Sequence, residues 1–205
     1  SFDALADKLA ADGATSVMIG DRPVFKLDGS DEIVTENVVN GELTLTHEDD
    51  SVFTGQIKFS DYKALADMAH QKGIKVNAFI QPGWNDGSGL YDGCPVSAYF
   101  ERYAADPTDS EAKQFVDKYF GAYERYWVEV APILKEAGVD GIYLNYCTAF
   151  ELLIKDGHWS QLVGKVKRVY DGEILAMAQA LWESQLDPLY DNSDFVGSFD
   201  RIGLQ

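Results

Sequence analysis

Four times along this chain a stretch with helical periodicity stops at a glycine and gives way, within a few residues, to a short apolar strand. Gly13 precedes Ser16-Val17-Met18-Ile19-Gly20, and Gly73 precedes Ile74-Lys75-Val76-Asn77-Ala78-Phe79-Ile80. Gly138 precedes Gly141-Ile142-Tyr143-Leu144, and Gly172 precedes Ile174-Leu175-Ala176-Met177-Ala178-Gln179. A fifth strand begins at Phe199-Asp200-Arg201-Ile202-Gly203-Leu204. Glycine ends helices because it accepts the left-handed conformation their last turn needs. Strands that alternate with helices read as βα units of a parallel α/β sheet. In such folds chemistry gathers at the carboxyl ends of the strands.

The helices carry the matching apolar faces. Phe2, Leu5, Ala6 and Leu9 share one face of the first. A second, with Ser60 or Asp61 as its expected cap, buries Tyr62, Leu65, Ala66 and Ala69. The longest spans about Ser110 to Ala137, and its stripe Phe115, Tyr119, Tyr123, Trp127, Val130, Leu134 reads as core rather than as a sugar platform. A further helix is expected over Trp159–Tyr170.

Two stretches interrupt the alternation. An acidic region near residues 31–50 sets Glu32-Ile33-Val34-Thr35 and Glu42-Leu43-Thr44-Leu45-Thr46 about Asn40-Gly41, the pattern of an inserted β-hairpin. After Ile80, a turn-rich segment with Gln81-Pro82-Gly83-Trp84-Asn85-Asp86-Gly87 is expected to run as a loop to about Asp109, and loops of that length in compact domains commonly bind something.

Residues 1–205 show no composition shift, so they form one domain, and no apolar run approaches the roughly 20 residues a membrane span needs. The net charge of −17 argues against nucleic acid, whose phosphates demand Lys and Arg. No phosphate loop or dinucleotide fingerprint follows any strand. His47, His70 and His158 are far apart and form neither a zinc site nor a triad; His70 falls at the amino end of its strand, and His158 heads a helix expected to lie away from the chemical face. No metal site and no cofactor are expected. Asp86 and Asp92 could hold a sugar or a calcium ion, but solvated loop carboxylates are the commoner case, and Cys94 and Cys147 read as two thiols for which a bridge stays conceivable.

Alternating βα units with long segments after the strands point to a (β/α)8 TIM-type barrel. A whole barrel takes about 250 residues and eight strands; this sequence supplies five, so the expected fold is an incomplete barrel segment. The chain from Ser60 to Gln205 resembles the (β/α)8 glycoside hydrolases of clan A, of the β-mannanase-like family 113 type. The resemblance is carried by Ala66-Asp67-Met68-Ala69-His70-Gln71-Lys72-Gly73-Ile74-Lys75-Val76, Cys147-Thr148-Ala149-Phe150-Glu151, His158-Trp159-Ser160-Gln161-Leu162-Val163, and Phe199-Asp200-Arg201-Ile202-Gly203-Leu204. Ala11-Asp12-Gly13-Ala14-Thr15-Ser16-Val17 resembles the approach to a second strand. The resemblance implies strands two to six of a barrel and the remainder in a longer polypeptide.

It also implies a retaining hydrolase site, in which two carboxyl groups stand about 5–5.5 Å apart, one as proton donor and one as nucleophile. The family's proton-donating glutamate falls on Ala149, and its nucleophile belongs to a seventh strand that these residues do not contain. Glu151 is the alternative carboxylate, facing the same side as Ala149 if the strand runs that far; Phe150-Glu151-Leu152-Leu153 also reads as the first turn of a helix, where an acid is favoured by the dipole. Candidate substrate contacts are Trp84, whose indole suits a sugar face as well as it suits a loop anchor packed on the barrel rim, and Asn145 and Tyr146 at the fourth-strand tip, where Asn145 could equally satisfy neighbouring backbone. Gln179 and Trp182 match a cleft-lining segment of the family. The expected partner is an oligo- or polysaccharide, bound or cut by an extracellular or periplasmic protein; the competing expectation is a non-catalytic, glycan-binding or structural barrel domain.

Overall fold

The computed structural model describes residues 2–21, 59–80, 97–145, 152–178 and 191–204, with Asp187 and short strand segments within 24–43 and 83–91. In chain order the elements are α1 (Phe2–Ala11), β1 (Ser16–Asp21), β2 (Val24–Leu27), β3 (Ile33–Thr35), β4 (Val38–Val39) and β5 (Glu42–Leu43). They continue with α2 (Phe59–Gln71), β6 (Lys75–Ile80), β7 (Gly83–Asn85), β8 (Leu90–Tyr91), α3 (Ser97–Ala105) and α4 (Ser110–Glu136). Last come β9 (Gly141–Tyr143), α5 (His158–Val166), β10 (Glu173–Ala178), α6 (Ser193–Ser198) and β11 (Arg201–Leu204).

The main sheet has the order β1-β6-β9-β10-β11, and every pairing in it is parallel. Each strand lies beside the one before it and the order never doubles back. That is the progression of a barrel wall; a doubly wound sheet would reverse at a switch point. The five strands are those expected from the sequence, four from the glycine-punctuated pattern and the fifth from Phe199–Leu204, and the α/β, incomplete-barrel reading holds.

One sheet face is sealed by helices. Val76, Ala78, Ile142, Ile174 and Ala176 are fully buried there, over a core that includes Trp127 and Trp159. The α4 stripe is core as expected: Tyr119, Tyr123, Trp127, Val130 and Leu134 are buried and Phe115 is half-buried. Trp159 sits in an aromatic cluster with Phe120, Phe195 and Phe199, ring centroids 4.9, 5.1 and 5.6 Å away. On the opposite face Met18 is 51% exposed, while Phe79 and Tyr143 are half-buried and meet edge to face at 6.5 Å. β1 forms one edge of the sheet, beside an apolar cavity of about 460 Å³ between α1, β1 and α2, lined by residues including Leu5, Leu9, Ile19 and Leu65.

The amino ends of the strands are locked by one device used twice. The Asp140 N–H donates to the Val76 carbonyl, and the Asp140 carboxylate accepts the Val76 N–H in return, both at 2.8 Å. Asp200 repeats this on Ile174, again with both bonds at 2.8 Å. A side chain one residue before each strand thus supplies an acceptor for the amide of the neighbouring strand's second residue. His70 adds its Nε2 to the Asp140 carboxylate at 2.8 Å, at the amino end of the sheet as expected.

Local departures from the sequence reading have identifiable causes. α2 begins at Phe59, so Ser60 and Asp61 are its first turn rather than its cap. The stretch from Gln81 to Asp109 is not one loop: it includes β7, β8 and α3, whose Phe100 and Tyr103 face the core at helical spacing. In the acidic region, Val38–Val39 and Glu42–Leu43 pair about Asn40-Gly41, so the hairpin exists, but Ile33–Thr35 pairs with β2 instead of joining it. α5 is shorter than expected, ending at Val166, with Tyr170 returning to donate its hydroxyl to the Val139 carbonyl at 2.8 Å.

Candidate functional site at the strand carboxyl ends

The strands that follow β1 and β6 in the chain, β2 and β7, also pair in parallel. Asp21 stands opposite Ile80 in the main sheet, and Val24 opposite Gly83 in the next, so β2 and β7 keep the same parallel register after a short break. β3 and β8 add antiparallel on either side, giving a four-stranded sheet in the order β3-β2-β7-β8 at the rim. This second sheet carries Trp84 on β7, the sequence-predicted stacking residue.

At the tips of β9 and β10 a side chain makes the link. Asn145, two residues past β9 and fully buried, donates its Nδ2 to the Met177 carbonyl at 2.7 Å and accepts the Met177 N–H on Oδ1 at 2.8 Å. Its carboxamide stands in for a peptide group in the ladder and satisfies both the N–H and the C=O of Met177. The carboxamide stands at the expected strand tip, engaged with backbone. Tyr146, Ala149, Glu151, Gln179 and Trp182 lie outside the described residues, as do Cys94, Cys147, Asp86, Asp92 and His47.

Where the chain becomes described again at Leu152, it is held from two sides. Asn192, fully buried, donates from Nδ2 to the carbonyls of Leu152 and Ile154, both at 2.7 Å, and accepts the Phe195 N–H at 2.9 Å to cap α6. Asp194 accepts the Trp159 and Ser160 N–H groups at 3.1 and 3.2 Å, capping α5 where Gly157, at φ 94°, offers no side chain. These two residues escape a reading of strand tips alone. Asn192-Ser193-Asp194 is nonetheless the composition of a helix start, and that signal was there to find.

His158 heads the helix that follows β9, so it stands toward the carboxyl side of the sheet rather than away from it. It packs on Phe120 at 4.8 Å and lies between two acids, Asp156 at Nδ1 and Asp117 at Nε2, the latter at 3.0 Å. Tyr103 donates its hydroxyl to Asp156, and Lys113 reaches Asp117 at 2.6 Å. Burial opposes ionisation of Asp156, but the hydrogen bonds from Tyr103 and His158 outweigh it and hold its pKa below the ordinary carboxylate range. Asp117 is lowered likewise, with Lys113 and His158 overcoming its desolvation. Burial, then the bond to Asp156, pushes the Tyr103 phenol up to about 12. Every member is committed to a partner, and the network braces α3, α4 and α5 together. Among the described residues, no group of three or more His, Cys, Asp or Glu side chains is arranged to hold a metal ion, and no helix is long and apolar enough to cross a membrane.

The sequence matches no protein-family model and no curated protein. The fold is similar to solved glycoside hydrolases. A GH113 β-1,4-mannanase complex matches with a TM-score of 0.57 and 16% identity over 100% of this chain and 56% of that one. The GH113 β-mannanase AaManA from Alicyclobacillus acidocaldarius, solved in complex with ManMIm, matches with a TM-score of 0.56 and 16% identity, over 99% of this chain and 54% of that one. Fpglu1 from Fervidobacterium pennivoraus follows at 0.51 and 12%, over 99% and 49%. The chain thus spans about half the length of the structures it matches, and its fold is that of part of a (β/α)8 barrel.

Proposed function

We propose that this chain contributes part of a cleft for a β-linked polysaccharide such as mannan or glucan, at the carboxyl ends of its strands, and that it does not cleave the polymer by itself. The observation that carries this reading is the run-on of β1 and β6 past the rim into a second sheet bearing Trp84, on a barrel wall shared with mannanase structures. Trp84 would stack on a sugar face, with Tyr146, Gln179 and Trp182 as further contacts and Asn145 holding the β9 tip in place. Ala149 occupies the position where the resembling family has its proton donor, and a methyl group can neither protonate a leaving oxygen nor accept a proton. Glu151 is the remaining acid near that position. Further strands of a longer, extracellular or periplasmic polypeptide would complete the barrel and cover the open edge of β1.

The test is titration of the chain with β-1,4-linked manno- and gluco-oligosaccharides, followed by a reducing-end assay on the corresponding polymers. Saturable binding with no release of reducing ends is the expected result. Absence of binding to both series contradicts the reading, and hydrolysis by the 205-residue chain contradicts its second half.

A further inference from the structure

Among the described residues no strand pairs with the outer side of β1, which forms one edge of the main sheet. The Lys75 N–H donates to the Thr15 carbonyl at 3.0 Å, so the backbone groups of Thr15 face β6. Along a strand these groups point alternately to either side, and those of Val17 and Ile19 face β6 as well. The N–H and C=O groups of Ser16, Met18 and Gly20 therefore face the open edge. Beside that edge lies the cavity of about 460 Å³, and every residue lining it is apolar, among them Leu5, Leu9, Val17, Ile19 and Leu65. Met18 lines it too, although strand alternation sets its side chain on the other face, so the cavity opens at the free edge. Leu5 and Met18 are 50% and 51% exposed.

The placement of α1 says what belongs there. α2 lies in the chain between the neighbouring strands β1 and β6, and its Ala66 and Ala69 share a buried cluster with Ile74 and Val76. α1 reaches that cluster through Leu9 and Ala10, while Leu5, one turn earlier, stays half exposed. A helix leading into a strand of a parallel sheet returns from a strand beside it by a right-handed crossover. With α1 and α2 on the same face of the sheet, that hand puts the strand before α1 on the side of β1 away from β6. A second copy of the chain is the weaker occupant. It would pair β1 with β1 antiparallel about a two-fold axis and set a charge of −17 against its equal.

We propose that this groove is the docking site of one β-strand of the same polypeptide, added to β1 in parallel and closing the cavity. This goes beyond the polysaccharide reading and rests on the longer polypeptide invoked with it. The added strand hydrogen-bonds to Ser16, Met18 and Gly20. β1 has six residues, and a strand of that length turns three side chains toward α1 and α2. An apolar cavity of about 150 Å³ holds one benzene, so the 460 Å³ here takes roughly three groups of that size. The strand consequently carries large apolar residues at three alternate positions, because polar ones would be buried there without partners.

The experiment is residue-resolved amide hydrogen exchange on the 205-residue chain and on the natural polypeptide that contains it. In the 205-residue chain the Met18 and Gly20 amides should exchange at least roughly tenfold faster than those of Val17 and Ile19. In the longer polypeptide the Met18 and Gly20 amides should slow by roughly a hundredfold or more. Leu5→Asp reads the cavity separately: it should leave the melting temperature of the 205-residue chain nearly unchanged and lower that of the longer polypeptide clearly. Met18 exchange that is equally fast in both proteins overturns the added strand, and leaves the polysaccharide reading intact if the oligosaccharides still bind. Slow Met18 exchange in the 205-residue chain, with a dimer in sedimentation, assigns the edge to a second copy and overturns the proposal. A natural polypeptide of these 205 residues alone overturns it too.

Discussion

Asn145 is the place where brace and ligand contact can be told apart by experiment. Its carboxamide makes two hydrogen bonds to the backbone of Met177, at 2.7 and 2.8 Å, in a position with no solvent exposure. Asn145→Ala strips both partners at once and leaves the Met177 N–H and C=O without the peptide-like group that satisfies them. An unsatisfied buried polar group costs about 1–3 kcal/mol, so the pair should cost about 2–6 kcal/mol. For a domain of this size 1 kcal/mol moves the melting temperature by about 2–4 °C, which makes the expected drop roughly 4–24 °C. Asn145→Asp adds a sign test. The ionised carboxylate can accept the Met177 N–H but faces the Met177 carbonyl with a second lone pair, and its burial favours the neutral form. The folded-state pKa of the introduced acid should therefore be raised, so the deficit relative to the parent should be full near pH 7 and shrink as pH falls and the acid regains a proton to donate. Scanning calorimetry of the parent and both variants at pH 7 and pH 4.5 reads this directly. An Asn145→Ala protein that melts within about 2 °C of the parent yet loses oligosaccharide affinity would refute the bracing role and make Asn145 a ligand contact.

Three other outcomes follow from the same coordinates. Asp156 and Asp117 are held below their unfolded carboxylate values, so the folded form binds fewer protons than the unfolded chain in acid; their contribution is full above about pH 4 and is lost as pH falls through the lowered values. A pH 6 to pH 2.5 melting series should show this loss, and His158→Ala should flatten it. At Gly172 an added Cβ would lie 2.5 Å from the Tyr170 ring and 2.6 Å from the Asp140 carbonyl oxygen, so Gly172→Ala should destabilise by about 1–3 kcal/mol in chemical denaturation, while Gly164→Ala, with nothing within 4 Å, should not. In a protein extended by the rest of its barrel, Ala149→Glu should give release of reducing ends from mannan or glucan if position 149 is the proton-donor site; no gain over the parent argues against that alignment.

The barrel wall was legible because its signals are local. Gly13, Gly73 and Gly138 take positive φ and end a helix just before a strand, as the sequence pattern requires; Gly172, the fourth glycine of that pattern, does not, because α5 already ends at Val166. The α4 stripe was legible for the same reason: eleven buried positions recur at helical spacing from Ala112 to Leu134. What could not be read depends on contacts between segments far apart in the chain. Nothing local to Gly83-Trp84-Asn85 says that it continues the β6 strand beside Val24–Leu27, and a turn-rich composition argues against a strand there. The pairing of Ile33–Thr35 with β2 defeats the hairpin rule because one antiparallel neighbour replaces another at similar distance in sequence. Asn145 stood out as a polar residue at an apolar strand tip, a pattern shared by ligand contacts and by side chains that substitute for backbone; only the partner at Met177, 32 residues on, distinguishes them.

The most direct measurement is a chemical-shift titration of the isotope-labelled 205-residue chain with a β-1,4-mannose hexamer. Saturable shifts are expected at the Trp84 indole and in residues of β2, β7 and the Asn145 tip, with His70, Asp140 and Asp200 at the opposite end of the sheet unmoved. A spectrum that does not change, or one that changes only at the amino ends of the strands, contradicts a polysaccharide cleft at the carboxyl ends.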